Sequence, residues 1–315
     1  MKFGCEVVST TFHTATESWT IIYRDSSHTI HTITSPYLVV CCGFLSTPVT
    51  PSIPGIDTFP GTPFLFLNFF AFPDSFLHTG RVIHSEEYSS PAPYTSQRVL
   101  VVGNSFSGAD ICCEISSVAH AHTHNAVRGA KWIFPREIQT PAQSQPLPVD
   151  LLFYSRQSAA SKLGKTQIER NIGTNGWFAS VLDIPSDVHP LLQTPRGEDP
   201  VVVSITDEYL ACVRRGDIKL HPALVRFDGN SAVFEDGSSV EVDSVIFATG
   251  YKPNVEFLMR QNEDSVDLDG LVDLQELLEY KPEDMLLPIV LYMHTLHPSL
   301  PSLGFVGMYK VWHSR

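Results

Sequence analysis

The feature that most constrains the fold is a short apolar run that leads through a glycine turn into an amphipathic helix. Residues 99–102 (VLVV) are all apolar, which is typical of a parallel strand buried on both faces. The turn from Gly103 to Gly108 opens a segment whose apolar residues recur at helical spacing. A strand, a glycine turn and a helix in this order begin a βαβ unit, so the sequence predicts an α/β fold with a parallel sheet.

Three other segments also have strand signals. Residues 5–40 contain short runs rich in β-branched and aromatic residues, which predict β-structure. After the helix, the segment AVRGAKWIF, residues 126–134, is the candidate for the next strand. The segment FEDGSSVEV predicts a hairpin that turns at Asp236 and Gly237.

The turn itself, GNSFSG, resembles the G-x-G-x-x-G pattern of dinucleotide-binding proteins. Gly103 permits a tight turn, Gly108 allows the helix to pack closely on the sheet, and the free amides of the helix N-terminus attract a diphosphate. Ser105 replaces the usual middle glycine, but serine is small enough for a diphosphate to approach the backbone. We therefore predict a cofactor-binding turn; the alternative is a strand–helix turn without a ligand. The predicted binding residues are Gly103, Asn104, Ser105, Ser107 and Gly108.

The residue that follows the next strand distinguishes the two nicotinamide dinucleotides. In such folds an acidic residue there binds the free ribose hydroxyls of NAD, and a basic residue suits the 2′-phosphate of NADP. Here the candidate is Arg128, with Lys131 just beyond it and no acidic residue between Asn125 and Phe134. The sequence therefore favours NADP, with an ordinary surface arginine and lysine as the alternative.

Composition excludes several functional classes. The chain has 315 residues, of which 43% are hydrophobic and 17% charged, enough for two modest globular domains or one large one. Its net charge of −13 opposes binding to phosphate backbones, so we predict no nucleic-acid partner. The longest apolar stretch, residues 63–72, is too short to cross a bilayer, and no secretory signal opens the chain. We expect a cytoplasmic protein without a transmembrane segment.

Cysteine and histidine patterns predict no metal site. The cysteines form no C-x-x-C pair, and two adjacent doublets are poor geometry for a disulfide framework. We interpret them as reduced, mostly buried thiols. His120, His122 and His124 have no cysteine or carboxylate at ligand spacing. The cysteines are Cys5, Cys41, Cys42, Cys112, Cys113 and Cys212.

Three motifs together resemble the flavin-containing monooxygenases. The string FATGY ends a strand as it does in that family, and GNSFSGADI resembles the family's second dinucleotide turn in its fungal-type, dimethylaniline monooxygenase-like variant. The third motif, F-x-G-x-x-x-H-x-x-x-[YFW], is interrupted. Phe59 and Gly61 supply its first part, and His84 and Tyr88 supply the rest.

An extra segment, residues 62–80, separates the two parts of this motif, and its removal restores a continuous match. Gly80 could equally be the motif glycine, with residues 61–79 as the extra piece. The segment is rich in phenylalanine and would make a poor surface loop. Our hypothesis is a translated intron or a gene-model error, and a spliced transcript that retains these codons would contradict it.

The resemblance implies a Rossmann-like NADP-binding domain inserted in a partial FAD-binding domain, that is, a flavoprotein with two dinucleotide-binding domains. We assign residues 1–60 to the partial FAD-binding domain and residues 61–95 to the linker that carries the interrupted motif. Residues 96–250 would form the NADP-binding domain, and residues 251–315 an incomplete return to the first domain. No G-x-G-x-x-G precedes Gly103, so we expect the chain to be truncated at its N-terminus relative to the family.

The same resemblance implies an oxidoreductase that uses FAD and NADP and acts on a small molecule. In the family, NADPH reduces FAD, and a hydroperoxyflavin then oxygenates an amine nitrogen or a thioether sulfur. His84, Thr249 and Gly250 would contribute to cofactor binding, and no catalytic residue is assigned. Two alternatives stay open. One is a Baeyer–Villiger-type monooxygenase, whose motif usually ends in Trp where this chain has Tyr88; the other is an inactive nucleotide-binding remnant that lacks the FAD site.

Overall fold

The chain is divided into two compact units in the computed structural model. One comprises Met1–Val49 and Gly250–Arg315, and the other comprises Thr50–Thr249. We call them the first and the second unit. The structure describes residues 1–43, 45–60, 62–63, 81–118, 122–139, 145–153, 164–182, 189–259, 291–292 and 295–307.

The described secondary structure consists of short strands and a few helices. The strands are β1 (Glu6–His13), β2 (Ser18–Arg24), β3 (Ile30–Ser35), β4 (Leu38–Val40), β5 (Thr47–Pro48), β6 (Thr62–Pro63), β7 (Arg81–His84), β8 (Arg98–Val102), β9 (His122–Ala126), β10 (Trp132–Phe134), β11 (Glu137–Ile138), β12 (Leu147–Pro148), β13 (Val203–Ile205), β14 (Ile218–His221), β15 (Leu224–Asp228), β16 (Ser231–Phe234), β17 (Ser239–Glu241), β18 (Ser244–Phe247), β19 (Tyr251–Lys252), β20 (Leu296–His297) and β21 (Leu300–Phe305). The helices are α1 (Phe106–Ser116), α2 (Val149–Phe153), α3 (Gln167–Val181), α4 (Tyr209–Arg215) and α5 (Glu256–Met259), with 3-10 turns at Ile56–Thr58 and Ala92–Tyr94.

The second unit is built on a six-stranded sheet in the order β14-β9-β8-β18-β7-β6, and every neighbouring pair is parallel. In β8, Val99 and Val101 pack with residues of α1 and α4 on one face. Leu100, between them, packs on the other face against the antiparallel sheet β15-β16-β17. All three are fully buried, as expected for a strand covered on both faces. The predicted α/β class, and the strand–turn–helix unit within it, are confirmed.

The strand after α1 differs from the prediction. We expected the segment AVRGAKWIF, residues 126–134, to supply the next strand of the sheet. Instead β9 has the polar sequence HTHNA, and β10 pairs with β13 outside the main sheet. Thr123 and Asn125 of β9 are nonetheless buried. Apolar periodicity cannot reveal a strand whose inward-facing side chains are polar.

The hairpin between β16 and β17 turns where the sequence predicted it, at Asp236 and Gly237. Gly237 has a φ of 81°, a left-handed conformation that glycine adopts without strain. The Asp236 carboxylate accepts a hydrogen bond from the Ser238 amide at 2.9 Å, which closes the turn. The confirmed hairpin positions the antiparallel sheet over the parallel one.

The described residues of the first unit form three small sheets: the antiparallel β1-β2-β3, the mixed β20-β21-β4 and the antiparallel pair β5-β19. The predicted β-structure of residues 5–40 is thus confirmed. Trp19 is fully buried in the unit's core, and its Nε1 donates to Ser302 Oγ at 3.1 Å. Strands β4 and β21 run parallel, and each is followed by a glycine with positive φ, Gly43 at 70° and Gly307 at 72°.

Candidate dinucleotide-binding site

The predicted cofactor-binding residues of the second unit converge on one edge of its parallel sheet. The ladders align the last residues of β9, β8, β18 and β7, so these strands end at the same edge. His84 ends β7, Gly103 follows β8, Arg128 follows β9, and Thr249 follows β18. From β8 the chain crosses to β9 on one side, while β18 lies on the other side. The carboxyl edge at such a switch point is where open α/β sheets bind ligands.

Both glycines of the turn are required by backbone crowding. Gly103 has a φ of 105°, and a Cβ placed on it would lie 2.5 Å from the Ala248 carbonyl oxygen. A Cβ on Gly108 would lie 2.2 Å from the Gly103 carbonyl oxygen. The Gly103 amide donates to the Ala126 carbonyl at 2.9 Å, which joins the turn to β9. Any side chain at either glycine would therefore push the helix away from the sheet.

The N-terminus of α1 presents unpaired amides at this edge. Ser105 is the N-cap residue, and its carbonyl accepts from the Ala109 amide at 2.9 Å. In the part of the chain that the structure describes, the amides of Phe106, Ser107 and Gly108 have no acceptor. The first turn also carries no acidic residue. Free amides and the positive end of the helix dipole suit a diphosphate, and Ser107 is exposed to solvent beside them.

Hydrogen bonds from buried polar side chains of the second unit hold the turn in place. Asn125 is fully buried, and its Nδ2 donates to the carbonyls of Val101 at 2.8 Å and Gly103 at 2.9 Å. Its Oδ1 accepts from the Tyr209 hydroxyl at 2.5 Å. Burial raises the pKa of Tyr209 well above its usual value, so the hydroxyl keeps its proton and stays a donor. Neither Asn125 nor Tyr209 is among the residues predicted from the sequence, although a polar residue in a strand beside a glycine turn is a usable signal.

Asn104, the second residue of the turn, has a polar contact of its own. It is 3% exposed, and its Oδ1 accepts from Lys131 Nζ at 2.9 Å. Lys131 is thus engaged with the turn itself. Arg128 is exposed at the same edge and pairs with no carboxylate among the described residues. Of these two bases, Arg128 is the one free to meet a ligand.

His84 and Tyr88 fix the segment that follows β7. The His84 ring is buried, and its Nδ1 accepts from the Glu86 amide at 3.2 Å, so a neutral ring carries its proton on Nε2. The His84 amide donates to Glu87 Oε1 at 3.1 Å. The Tyr88 hydroxyl donates to Glu114 Oε2 at 3.0 Å, which ties the segment to α1. These contacts position the chain next to the glycine turn.

Thr249 and Gly250 end the second unit and begin the first. Thr249 is half-buried directly after β18. Gly250 has a φ of 88°, and its carbonyl accepts from the Val49 amide at 2.9 Å within the first unit. The segment's glycine is therefore needed for its backbone conformation, and Thr249 is the residue that the sheet edge presents.

A pair of histidines lies behind the sheet edge. His124 is 5% exposed, and its Nδ1 lies 2.9 Å from Nε2 of His221, which stacks on Phe234. Burial and the neighbouring His221 lower the pKa of His124 to about 4, and burial lowers that of His221. His120, of the predicted histidine group, lies outside the described residues; within them no three His, Cys, Asp or Glu side chains could hold a metal. The other charged or titratable groups near the pair are Lys219, His122, Arg98 and Asp236.

We expect this pair to make the fold sensitive to acid. The unfolded chain would protonate His124 near its ordinary pKa of 6.5, and the folded chain only near 4. The free energy of unfolding is therefore unaffected above about pH 6.5 and falls by about 3 kcal/mol as the pH drops towards 4. Urea denaturation at stepped pH would measure this. His124→Gln should flatten the profile and His122→Gln, at an exposed position of the same strand, should not; equal slopes in wild type and His124→Gln would contradict the assignment.

These features define the second unit as a Rossmann-like α/β domain with a glycine turn of the dinucleotide-binding type. The chain belongs to the flavin-binding monooxygenase-like family, whose model matches residues 2–269.

Relatives within this family are similar along much of the chain. It is 26% identical over 260 residues to probable indole-3-pyruvate monooxygenase YUCCA4 of Arabidopsis thaliana, a match that covers 82% of this chain and 56% of that protein. It is 32% identical over 194 residues to flavin-containing monooxygenase 3 of Canis lupus familiaris, covering 60% of this chain and 34% of that protein. The chain thus spans 56% or less of the length of these two relatives.

A solved structure shows the same fold. Cyclohexanone monooxygenase from Rhodococcus sp. Phi1, determined with NADP+ bound, superposes with a TM-score of 0.60 over 98% of this chain and 61% of that one. The two sequences are 16% identical, so the likeness concerns the fold alone. Among the described residues, no helix is both long and apolar enough to cross a membrane.

Proposed function

We propose that the second unit binds NADP(H) at the carboxyl edge of its parallel sheet. The observation that carries this proposal is the turn of Gly103 and Gly108, whose backbone crowding brings a helix N-terminus with free amides to the switch point. These residues fit a diphosphate, because hydrogen-bond donors and positive partial charge are present and acidic residues are absent from the first turn. Ser105 and Ser107 would add hydroxyl donors to the phosphate oxygens.

Arg128 is proposed to bind the 2′-phosphate of the cofactor. It is exposed directly after β9, where a basic residue favours NADP over NAD. Thr249, at the end of β18, would lie on the other side of the diphosphate, with Gly250 shaping the backbone there. His84 would act by holding the end of β7 in place.

The described residues of the first unit fit only part of a FAD site. The parallel strands β4 and β21 bring Gly43 and Gly307 together, where a Cβ on Gly43 would lie 3.9 Å from the Gly307 carbonyl oxygen. Among those residues, however, no strand leads through a glycine turn into a helix of two turns or more. We therefore derive no chemical step through the flavin from these residues.

For the whole protein, we propose an NADPH- and FAD-dependent monooxygenase that oxygenates a soft nucleophile, an amine nitrogen or a thioether sulfur. Family membership supports this proposal. The flavin, when bound, supplies the redox and oxygen chemistry, and the residues of the second unit bind and orient the reductant. NADPH oxidation by the purified chain supplied with FAD would test it: sulfoxide formation from a thioether supports the proposal. Ester formation from a ketone would instead support the Baeyer–Villiger alternative.

Replacing Arg128 should separate NADPH from NADH. We expect Arg128→Ala to weaken NADPH binding by about 10- to 100-fold, since a charge-assisted hydrogen bond to phosphate contributes about 1.5–3 kcal/mol. NADH binding should not change. Isothermal titration with both cofactors measures the effect, and Arg226→Ala, which removes an exposed arginine on β15, is the matched control. Equal losses for the two cofactors, or none, would remove Arg128 from the site.

A further inference from the structure

The loop that carries Arg128 joins β9 to β10 and is fixed at both ends. At its start, the Val127 amide donates to the His221 carbonyl at 2.9 Å. At its end, the Lys131 amide donates to the Gln193 carbonyl at 2.8 Å. Backbone hydrogen bonds therefore hold the two ends of the loop against neighbouring segments of the second unit.

The middle of this loop is less constrained. Arg128 and Gly129 are exposed, and Gly129 has a φ of 76°, a left-handed conformation that glycine adopts without strain. A Cβ placed on Gly129 would meet nothing within 4 Å. The position of the Arg128 guanidinium relative to the glycine turn therefore depends on contacts that other residues of the loop make.

Lys131 makes such a contact with the turn. Its Nζ donates to Asn104 Oδ1 at 2.9 Å, and Asn104 is 3% exposed next to Gly103. The half-buried Lys131 side chain thus joins the end of the Arg128 loop to the second residue of the turn. We propose that Lys131 is a positioning residue for cofactor selection, whose bond to Asn104 holds Arg128 at the distance from the turn that NADP requires. This inference rests on the proposed function and gives Lys131 no contact with the cofactor.

The structure of the cofactor makes this distance important. NADP carries its diphosphate and its 2′-phosphate on one molecule, so the turn and Arg128 have to bind it at the same time. A charge-assisted hydrogen bond is strong only when its geometry is good, so a displaced loop would weaken the contact with the 2′-phosphate. NAD lacks that phosphate and would depend on the turn alone. Loss of the Lys131 bond should therefore weaken the binding of NADP more than that of NAD.

Calorimetric titration of the full chain with NADP+ and with NAD+ tests the inference. We expect Lys131→Met to lower the ratio of NADP+ affinity to NAD+ affinity by about 5- to 10-fold, a common size of coupling between residues in contact. Lys131→Arg keeps a hydrogen-bond donor at the end of a long side chain and should retain most of the preference. Lys165→Met, which removes an exposed lysine outside the proposed site, is the matched control and should change neither affinity.

A double-mutant cycle with Arg128→Ala separates positioning from direct contact. If Lys131 acts through Arg128, adding Lys131→Met to Arg128→Ala should leave the affinity ratio unchanged. A further fall would place Lys131 at the phosphate itself and overturn the inference, as would an unchanged ratio in Lys131→Met alone. Equal losses for the two cofactors would make Lys131 only a structural support of the turn, which also contradicts it.

Failure of this inference can be distinguished from failure of the proposed function. If Arg128→Ala lowers the ratio and Lys131→Met does not, Arg128 keeps its proposed role and only that of Lys131 is wrong. If Arg128→Ala leaves the ratio unchanged, both proposals fall. Should Lys131→Met not fold, Lys131→Ser, which is polar but too short to reach Asn104, is measured in its place with the same expected loss.

Discussion

Gly108→Ala is expected to abolish NADP(H) binding and to lower the free energy of unfolding by about 3 kcal/mol. The added methyl group would lie 2.2 Å from the Gly103 carbonyl oxygen and 3.2 Å from Ala248 Cβ. The nearer atom belongs to the backbone and cannot rotate away, so α1 has to move off the sheet. Its free amides then leave the place where the strands end. Urea denaturation and a titration with NADP+ measure the two effects.

Gly173→Ala is the matched control for this substitution. Gly173 lies within α3, and a Cβ there meets nothing within 4 Å. Alanine is the better helix former, so this variant should gain up to about 1 kcal/mol and bind NADP+ as wild type does. If Gly108→Ala behaved like Gly173→Ala, the close packing of turn and helix would be disproved.

Asn125→Leu should destabilise the protein by about 3–4 kcal/mol and weaken NADP+ binding at least tenfold. Leucine is similar in size but leaves the Gly103 carbonyl and the Tyr209 hydroxyl without their buried partner. Each buried polar group left unsatisfied costs about 1–3 kcal/mol. The carbonyl belongs to the turn itself, so its release also disorders the backbone that we propose to bind the cofactor.

A second buried asparagine separates positioning from stability. Asn175 is 2% exposed, accepts from Trp132 Nε1 at 2.9 Å, and donates to the carbonyls of Gly197 and Asp199. Asn175→Leu should therefore lose a similar amount of stability, but none of its partners touches the turn. At a temperature where both variants are folded, we expect weaker NADP+ binding for Asn125→Leu alone. Equal affinities would reduce Asn125 to a structural residue.

The sequence was most informative at positions where the backbone or the burial of a strand allows few residue types. Gly103 and Gly108 could be predicted because a tight turn and a close helix contact exclude side chains, and the structure shows both constraints. The apolar run of β8 could be predicted because a strand buried on both faces has to be apolar throughout. By contrast, β9 buries the polar residues Thr123 and Asn125, and Asn125 finds its hydrogen-bond partners on other segments, at Val101, Gly103 and Tyr209. No local sequence pattern predicts such a strand.

The contacts of individual side chains could not be predicted either, because they depend on residues far away in the sequence. Arg128 and Lys131 look equivalent in sequence, but Lys131 bonds Asn104 whereas Arg128 stays exposed. The expectation that the cysteines are mostly buried was wrong for Cys41 and Cys42, which are exposed directly after β4. Strand β4 is an edge strand of its sheet. Because the sequence around these cysteines is apolar, it did not predict that the residues after this strand are exposed to solvent.

Other expectations stay predictions. The interrupted motif's extra segment falls on residues 62–80, of which all but Thr62 and Pro63 lie outside the described residues. The assignment of FAD-binding and NADP-binding roles to stretches of the chain also stays a prediction. The structure divides the chain into two compact units but does not test which cofactor each one binds.

Hydrogen exchange of the full chain with and without NADP+ tests the central claim most directly. The amides of Phe106, Ser107 and Gly108 have no acceptor in the described structure, so they should exchange quickly in the free protein. Saturating NADP+ should slow their exchange at least tenfold, in step with occupancy, and leave α3 unchanged, because no residue of α3 belongs to the proposed site. If a folded sample showed no saturable protection at these amides, the glycine turn would not be a dinucleotide site.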